Sequence, residues 1–418
     1  MKIAIFTDTY EPEINGVVTS TKTFIKMLAS DGHEVILICP KYKGHKDDEL
    51  DNVKVFRFRA FSFATNKSTK ISFPSLPKII KILKNENPDL IHIQTPMNIG
   101  VTGLVASKIL KIKNIQTYHT YLPEMMVYLK PSNVLGVKKI KDALTEKEII
   151  SDILNNGFYQ RIKRISLQTT HSYLALLDKY KIKTEGDLGV WLFTKSIYNR
   201  SNMVLTPSKA LTRILKNKGI KPPVYFQTNG IDFSGIIEKK DYKKTGKIIH
   251  FGRLGPEKKT DIIIRSLQNI NDVELHIFGD GPDRKRLEKL SLELSLNDRV
   301  RFFGFMPNEK IRKIIHEYDF FITASPMETQ GIVILEAMAA GLPIIGVNKL
   351  AIPDLVKGGL NGYLVKEGDP NLMGEKIKEI LKSESRRKKM GSYSQKMAKE
   401  HDIEKAYKLL VKRYKSLA

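Results

Sequence analysis

A short apolar strand followed by an amphipathic helix, repeated and then restarted halfway along the chain, restricts the fold more than any other feature of this sequence. Lys2-Ile3-Ala4-Ile5-Phe6 reads as a buried parallel strand, and after the Asn15-Gly16 turn residues 19–30 carry the apolar spacing of a helix. Strands follow at 33–39, 53–58, 89–93 and 114–117, with a basic helix at 77–84. A strand at 203–206, a helix capped by Ser208 and ending near Gly219, and a strand at 224–227 close this series. A second series begins with a strand at 247–251 and runs through a helix from Thr260, a strand at 273–278, a helix from Pro282, and strands at 300–303 and 320–322. Alternation of this kind specifies an α/β fold, a parallel sheet covered by helices on both faces, here twice over.

We therefore expect two Rossmann-like, doubly wound domains facing each other across a cleft. The turn at 229–234 marks the division. Residues 1–228 form the first domain, with a helical insertion at about 125–195 where strand signals fade, and residues 229–400 form the second. An amphipathic helix at 403–417, within a C-terminal segment 401–418, ends the chain. At 418 residues two large lobes fit the usual domain size.

Composition narrows the function classes. With 41% hydrophobic residues the chain buries real cores, and its net charge of +25 gives a field that attracts polyanions or an anionic membrane surface. Lysine enrichment also arises from genome base composition or from solubility alone, so the charge does not name a partner. The single cysteine, Cys39, rules out an intramolecular disulfide framework and fits a reducing cytoplasm. No zinc-ligand spacing occurs, the N-terminal apolar run is too short for a secretory signal, and the most apolar stretch, 331–347, is interrupted by Glu336 and Pro343. We expect a cytoplasmic protein, with peripheral attachment to the inner face of the membrane through basic helices such as 77–84 as its membrane option.

Four local motifs carry chemistry. In Ser325-Pro326-Met327-Glu328-Thr329-Gln330-Gly331-Ile332-Val333-Ile334-Leu335-Glu336, a strand end and tight loop run into an apolar helix with two carboxylates eight positions apart. Glu328 lies where open α/β sheets place their ligands, at the carboxyl end of a strand. Glu336 stands on an apolar helix face and needs a partner, because burying a charge unpaired is costly. Vicinal sugar hydroxyls suit a carboxylate, and the amides of Gln330, Gly331, Ile332 and Val333 at the helix start suit phosphate oxygens. The bland alternative is a helix with one solvated glutamate.

In Phe251-Gly252-Arg253-Leu254-Gly255-Pro256-Glu257-Lys258-Lys259, two cations occupy a strand-to-helix loop of the second series. Arg253 offers a planar fork and Lys258 a compact charge for a diphosphate, although basic loops are common. His119, just after the strand at 114–117, projects from a strand end and is placed to hydrogen-bond a sugar; a structural histidine is the alternative. Gly16, in the first loop, lets backbone approach a ligand closely, or is an ordinary turn glycine. Neither GxGxxG nor GxxxxGK[ST] occurs, which argues against a nicotinamide cofactor and nucleoside triphosphate hydrolysis.

Taken in order, these motifs resemble glycosyltransferase family 4, retaining enzymes of the two-lobed GT-B architecture, over nearly the whole chain. The resemblance implies that Glu328 and Glu336 form an E-x7-E motif binding donor-sugar hydroxyls and ribose, and that Arg253 and Lys258 hold the donor diphosphate. It further implies that His119 contacts the sugar and Gly16 the phosphate region. Asn229-Gly230-Ile231-Asp232 is similar to the family's inter-lobe turn, and the last helix to one that crosses back onto the first lobe. One departure is visible: where the family often has glycine after the Glu-Lys pair, Lys259 stands here, which questions the local turn geometry. Phe6-Thr7-Asp8-Thr9-Tyr10-Glu11-Pro12, Asn15-Gly16-Val17-Val18-Thr19-Ser20, Trp191-Leu192-Phe193 and Tyr198-Asn199-Arg200 are most similar to the branch that glucosylates diacylglycerol.

The expected reaction moves a hexose, glucose by this resemblance, from a nucleoside diphosphate sugar, with UDP-glucose favoured, to a hydroxyl of a membrane lipid such as diacylglycerol. Anomeric configuration is retained. No enzyme nucleophile is evident, so attack from the leaving-group face is expected, with the departing phosphate accepting the acceptor's proton. Arg253, Lys258 and the helix start would stabilise that phosphate, without a metal or cofactor. Transfer to a soluble sugar or sugar phosphate would keep every donor motif. A nucleotide-sugar epimerase would share the architecture but not this set of residues, and a polyanion-binding protein would explain only the charge. No nucleic-acid-binding module is readable.

Overall fold

The computed structural model describes every residue except 46, 48, 64, 65 and 122–187. The helical insertion expected at about 125–195 thus lies outside the described residues up to 187, and its last part is a helix, Leu188–Tyr198. Two compact units divide the chain. One comprises Met1–Leu205, Ile214–Tyr225 and Tyr414–Ala418, the other Thr206–Arg213 and Phe226–Arg413.

The first sheet has eight strands, β1 (Lys2–Phe6), β2 (Glu34–Lys41), β3 (Val53–Phe63), β4 (Asn66–Ser72), β5 (Leu90–Ile93), β6 (Asn114–Thr117), β7 (Met203–Thr206) and β8 (Val224–Phe226), in the order β4-β3-β2-β1-β5-β6-β7-β8. The pairings of β1 with β2 and β5, β2 with β3, β5 with β6 and β6 with β7 are parallel. The exception is β3 with β4, an antiparallel edge that the sequence pattern did not suggest. Helices covering both faces explain why Ile3, Ala4, Ile5 and Phe6 are all buried. Cys39, in β2, is fully buried, and burial pushes its thiol up to about 12.

Helix α1 (Gly16–Ser30) starts at Asn15, whose side-chain oxygen accepts from the amides of Val17 and Val18. Helix α2 (Leu76–Glu86) ends at Asn87 in a left-handed conformation, and Pro88 prevents its continuation. It buries Ile79, Ile80, Ile82 and Leu83 while Lys78, Lys81 and Lys84 are exposed. Helix α3 (Asn98–Leu110) is drawn close to the sheet at Gly103, where a Cβ would stand 2.6 Å from the Phe6 ring. Leu188–Tyr198 is α4, and α5 spans Lys209–Asn217.

The second sheet is parallel throughout its recorded pairings, in the order β11-β10-β9-β12-β13-β14. Its strands are β9 (Lys247–Phe251), β10 (Glu274–Phe278), β11 (Val300–Gly304), β12 (Phe321–Ile322), β13 (Ile344–Val347) and β14 (Gly362–Val365). Around it lie α6 (Thr260–Arg265), α7 (Arg284–Glu293), α8 (Asn308–Ile314), α9 (Ile332–Ala339), α10 (Ile352–Leu355), α11 (Pro370–Leu381) and α12 (Glu384–Ala398), and α13 (Ile403–Lys415) follows in the chain, its end from Tyr414 onward belonging to the first unit. The apolar stretch 331–347 therefore resolves into α9, a turn at Gly341 and the inner strand β13, all packed in the core. No described helix is long and apolar enough to cross a membrane.

Candidate active site

In the second unit, the ends of neighbouring strands β9 and β12 bring two of the motifs together. After Phe251 the chain turns at Gly252, whose φ of 143° is a conformation for glycine, and passes through a single 3-10 turn, Pro256–Lys258, before α6. The turn delivers the Lys258 ammonium to Glu328, with 2.6 Å between Nζ and Oε1. Burial alone would raise the Glu328 carboxyl. The charge and hydrogen bond of Lys258 dominate, helped by Ser325 and His250, and hold it below its ordinary value. Glu328 is thus an anion at neutral pH, in contact with a cation and only 12% exposed. Arg253 is turned outward, 54% exposed, and paired with Glu257. Only one of the two expected loop cations therefore touches the Glu328 motif.

Past Glu328 the loop is anchored from beneath. Gln330 is buried, its Oε1 accepting from the amide of Asn229 at 3.2 Å and its Nε2 donating to Thr228 Oγ1 at 2.9 Å. Its side chain belongs to the scaffold. Gly331 follows with φ 79°, and its carbonyl accepts the first hydrogen bond of the α9 ladder, from Leu335. The amides of Ile332 and Val333 precede that ladder, as at any helix start.

Glu336, one turn into α9, is 1% exposed and has the partner its burial demands. Asn308 and Arg312, one turn apart on α8, converge on its Oε1. Asn308 Nδ2 lies at 2.5 Å, Arg312 Nη2 at 3.1 Å and Nε at 3.2 Å. Burial nevertheless prevails over these donors and keeps the carboxyl above its ordinary value. Sequence reasoning missed both partners. The signal was available: a glutamate on an otherwise apolar helix needs donors, and Asn308 and Arg312 stand four apart on a neighbouring helix.

His250 on β9 was also missed. It is buried, donates from Nδ1 to the Ile322 carbonyl at 2.9 Å, stacks on Phe321, and is held neutral by burial, its pKa pushed down to about 4.

In the first unit, His119 lies two residues beyond β6, is 7% exposed, and sets its Nε2 2.7 Å from Gln94 Oε1. Burial pushes its pKa down to about 4, so it is a neutral imidazole. Gly16 is exposed at the first position of α1, in a loop ordered by Asn15 and by Thr9, which accepts from Asn15 Nδ2 at 2.9 Å. The neighbouring Asp8 carboxylate caps α3, accepting from the amides of Met97, Ile99 and Gly100. Among the described residues, no group of three or more His, Cys, Asp and Glu is arranged to hold a metal ion.

Two parallel-sheet α/β domains, with an E-x7-E pair and a basic loop at the strand ends of the second, define a GT-B glycosyltransferase architecture. Residues 14–147 match the family described as Glycosyltransferase Family 4 and residues 235–397 that described as Glycosyl transferases group 1. The chain belongs to these glycosyltransferases and is a transferase enzyme. It is 24% identical over 385 residues to the alpha-monoglucosyldiacylglycerol synthase of Streptococcus pneumoniae, covering 91% of this chain and 78% of that protein. It is 26% identical over 380 residues to a GDP-mannose-dependent alpha-mannosyltransferase of Corynebacterium glutamicum, covering 87% and 76%. Among solved structures, the Anabaena protein HepE in complex with UDP and glucose superposes with a TM-score of 0.68 at 18% identity, over the full length of both chains.

Proposed function

We propose that the chain is a retaining hexosyltransferase that moves glucose from UDP-glucose to a hydroxyl of a membrane lipid such as diacylglycerol. The contact of Lys258 with Glu328 carries the reading. A deprotonated carboxylate able to take hydroxyl hydrogen bonds is held against a cation, one short loop from the start of α9. In this proposal Glu328 binds hydroxyls of the hexose, Glu336 the ribose, and Lys258 and Arg253 the diphosphate. The amides of Gln330, Gly331, Ile332 and Val333 add dipolar stabilisation to the departing β-phosphate. In the first unit His119 contacts the sugar and Gly16 the phosphate region. As charge builds on the phosphate, fixed cations take the place of a divalent metal, and the leaving phosphate accepts the proton of the attacking hydroxyl on the same face. The similarity to a diacylglycerol-glucosylating synthase supports the lipid acceptor, and the similarity to a UDP- and glucose-bound structure supports the donor.

Peripheral attachment at the cytoplasmic face of the membrane completes this reading, through the exposed Lys78, Lys81 and Lys84 of α2. The apolar residues of that helix are turned into the domain, so attachment there is electrostatic rather than insertive. The same burial favours, as a second reading, transfer to a soluble sugar or sugar phosphate. Incubating the protein with a panel of nucleotide sugars, each with diacylglycerol vesicles and with soluble sugars, separates the two. Formation of a glucosylated lipid from UDP-glucose alone supports the first reading, and a product only with soluble acceptors overturns it.

A further inference from the structure

A chain of directed hydrogen bonds in the first unit ends on His119. It begins at Tyr414, whose hydroxyl lies 2.6 Å from His92 Nδ1. A phenol donates readily, and His92 is neutral because burial, and then the neighbouring His119, push its pKa down to about 3. With Tyr414 as the donor, Nδ1 of His92 is the lone-pair nitrogen, and its Nε2 carries the proton that it donates to Thr117 Oγ1 at 2.7 Å. The Gln94 amide faces this imidazole with Nε2, 3.2 Å from Nδ1 and 3.4 Å from Nε2. An amide that turns its NH2 toward His92 turns its carbonyl the other way, and Gln94 Oε1 meets His119 Nε2 at 2.7 Å. A carbonyl only accepts, so Nε2 of His119 bears the proton. The other ring nitrogen of His119, Nδ1, has no hydrogen-bond partner among the described residues.

We infer that Tyr414, His92 and Gln94 are positioning residues that fix His119 in its Nε2–H tautomer, so that its Nδ1 lone pair accepts a hydrogen bond from a sugar hydroxyl of the substrate. The choice of a sugar hydroxyl rests on the proposed function; the choice of tautomer does not. An acceptor nitrogen favours a hydroxyl over a carbonyl or ether oxygen, because neither of those has a proton to give. His119 thereby selects for a free hydroxyl and takes no part in proton transfer.

The tautomer is read directly by nitrogen NMR of the full-length protein labelled at histidine with nitrogen-15, with the His119 signals assigned by their loss in His119→Gln. The expected wild-type pattern is a protonated, pyrrole-type Nε2 and a pyridine-type Nδ1. Gln94→Leu should give a mixture of tautomers, whereas Gln94→Glu, which keeps an acceptor oxygen, should restore the wild-type pattern. Tyr414→Phe frees His92 and should loosen the tautomer without altering any residue next to His119. A pyrrole-type Nδ1 in the wild type, or an unchanged pattern in both Gln94→Leu and Tyr414→Phe, overturns the inference. Loss of folding in Gln94→Leu leaves the wild-type and Tyr414→Phe spectra to decide. In the transfer assay, Gln94→Leu should lower kcat about tenfold, the scale of one lost hydrogen bond, with donor KM nearly unchanged. Absence of sugar transfer with every donor would refute the functional reading while leaving the tautomer result standing.

Discussion

Lys259 should be a position at which one substitution stabilises this protein. It sits between the 3-10 turn and α6 with φ 51° and ψ 36°, in the left-handed region, and its side chain is exposed. For an L-residue with a Cβ that conformation costs about 1–2 kcal/mol. Glycine removes this cost but adds freedom to the unfolded chain, worth about 0.4–1 kcal/mol in the opposite direction. Lys259→Gly should therefore gain about 0.5–1 kcal/mol, and Lys259→Ala, which keeps the Cβ, close to nothing. For a unit of this size the gain corresponds to a rise of about 2 °C in the midpoint of its thermal transition. Calorimetry on the three proteins, with the charge change controlled by the alanine variant, measures it. If the glycine variant is no more stable than the alanine variant, backbone strain at Lys259 is not what the structure indicates. The turn presents Lys258, so a glycine that also leaves donor affinity unchanged would show that the lysine holds its conformation at a cost unrelated to ligand binding.

Other perturbations test the site itself. Glu336→Gln and Arg253→Ala should each weaken binding of the true donor at least tenfold by isothermal titration; Glu336→Ala is the poorer probe, because leaving Arg312 and Asn308 unpaired should cost about 3 kcal/mol of stability. Glu328→Gln and His119→Ala should lower kcat far more than nucleotide affinity, which steady-state kinetics would show, and a wild-type kcat in either would remove that residue from the sugar contact. The protein should co-sediment with anionic but not neutral vesicles at low salt and be released as salt rises; lack of binding to anionic vesicles at low salt would favour a soluble acceptor.

Strands such as β1, β5, β9 and β10 were legible because a parallel strand buried on both faces is largely apolar. The same property hid β13. In the run 331–347 the strand is fully buried and the helix buried from Ile334 onward, so no alternation of polar and apolar residues marks where one ends. Strand β4, Asn-Lys-Ser-Thr-Lys-Ile-Ser, escaped for the opposite reason, as a polar edge with only Ile71 to suggest burial. Of the site, the carboxylates and cations were readable as types in loops. Their partners were not, since the pairing of Glu336 with Arg312 and of Gln330 with Thr228 joins segments far apart in sequence. Which of Arg253 and Lys258 reaches Glu328 was likewise decided by the path of the loop, whose 3-10 turn Pro256–Lys258 brings Lys258 to the carboxylate.

Cys39 has a practical consequence. As the one cysteine of the chain, sealed in β2 with its thiol far from ionising at neutral pH, it is chemically silent while the first unit is intact. A thiol reagent can reach it only when that sheet opens. The rate of labelling is therefore a native clock for the opening of one unit, with no counterpart in the other. Adding nucleotide sugar and timing the modification would show whether ligand occupancy steadies the unit that carries His119, without a dye, a tag or a mutation. A cysteine introduced on the second unit would give that half a clock of its own.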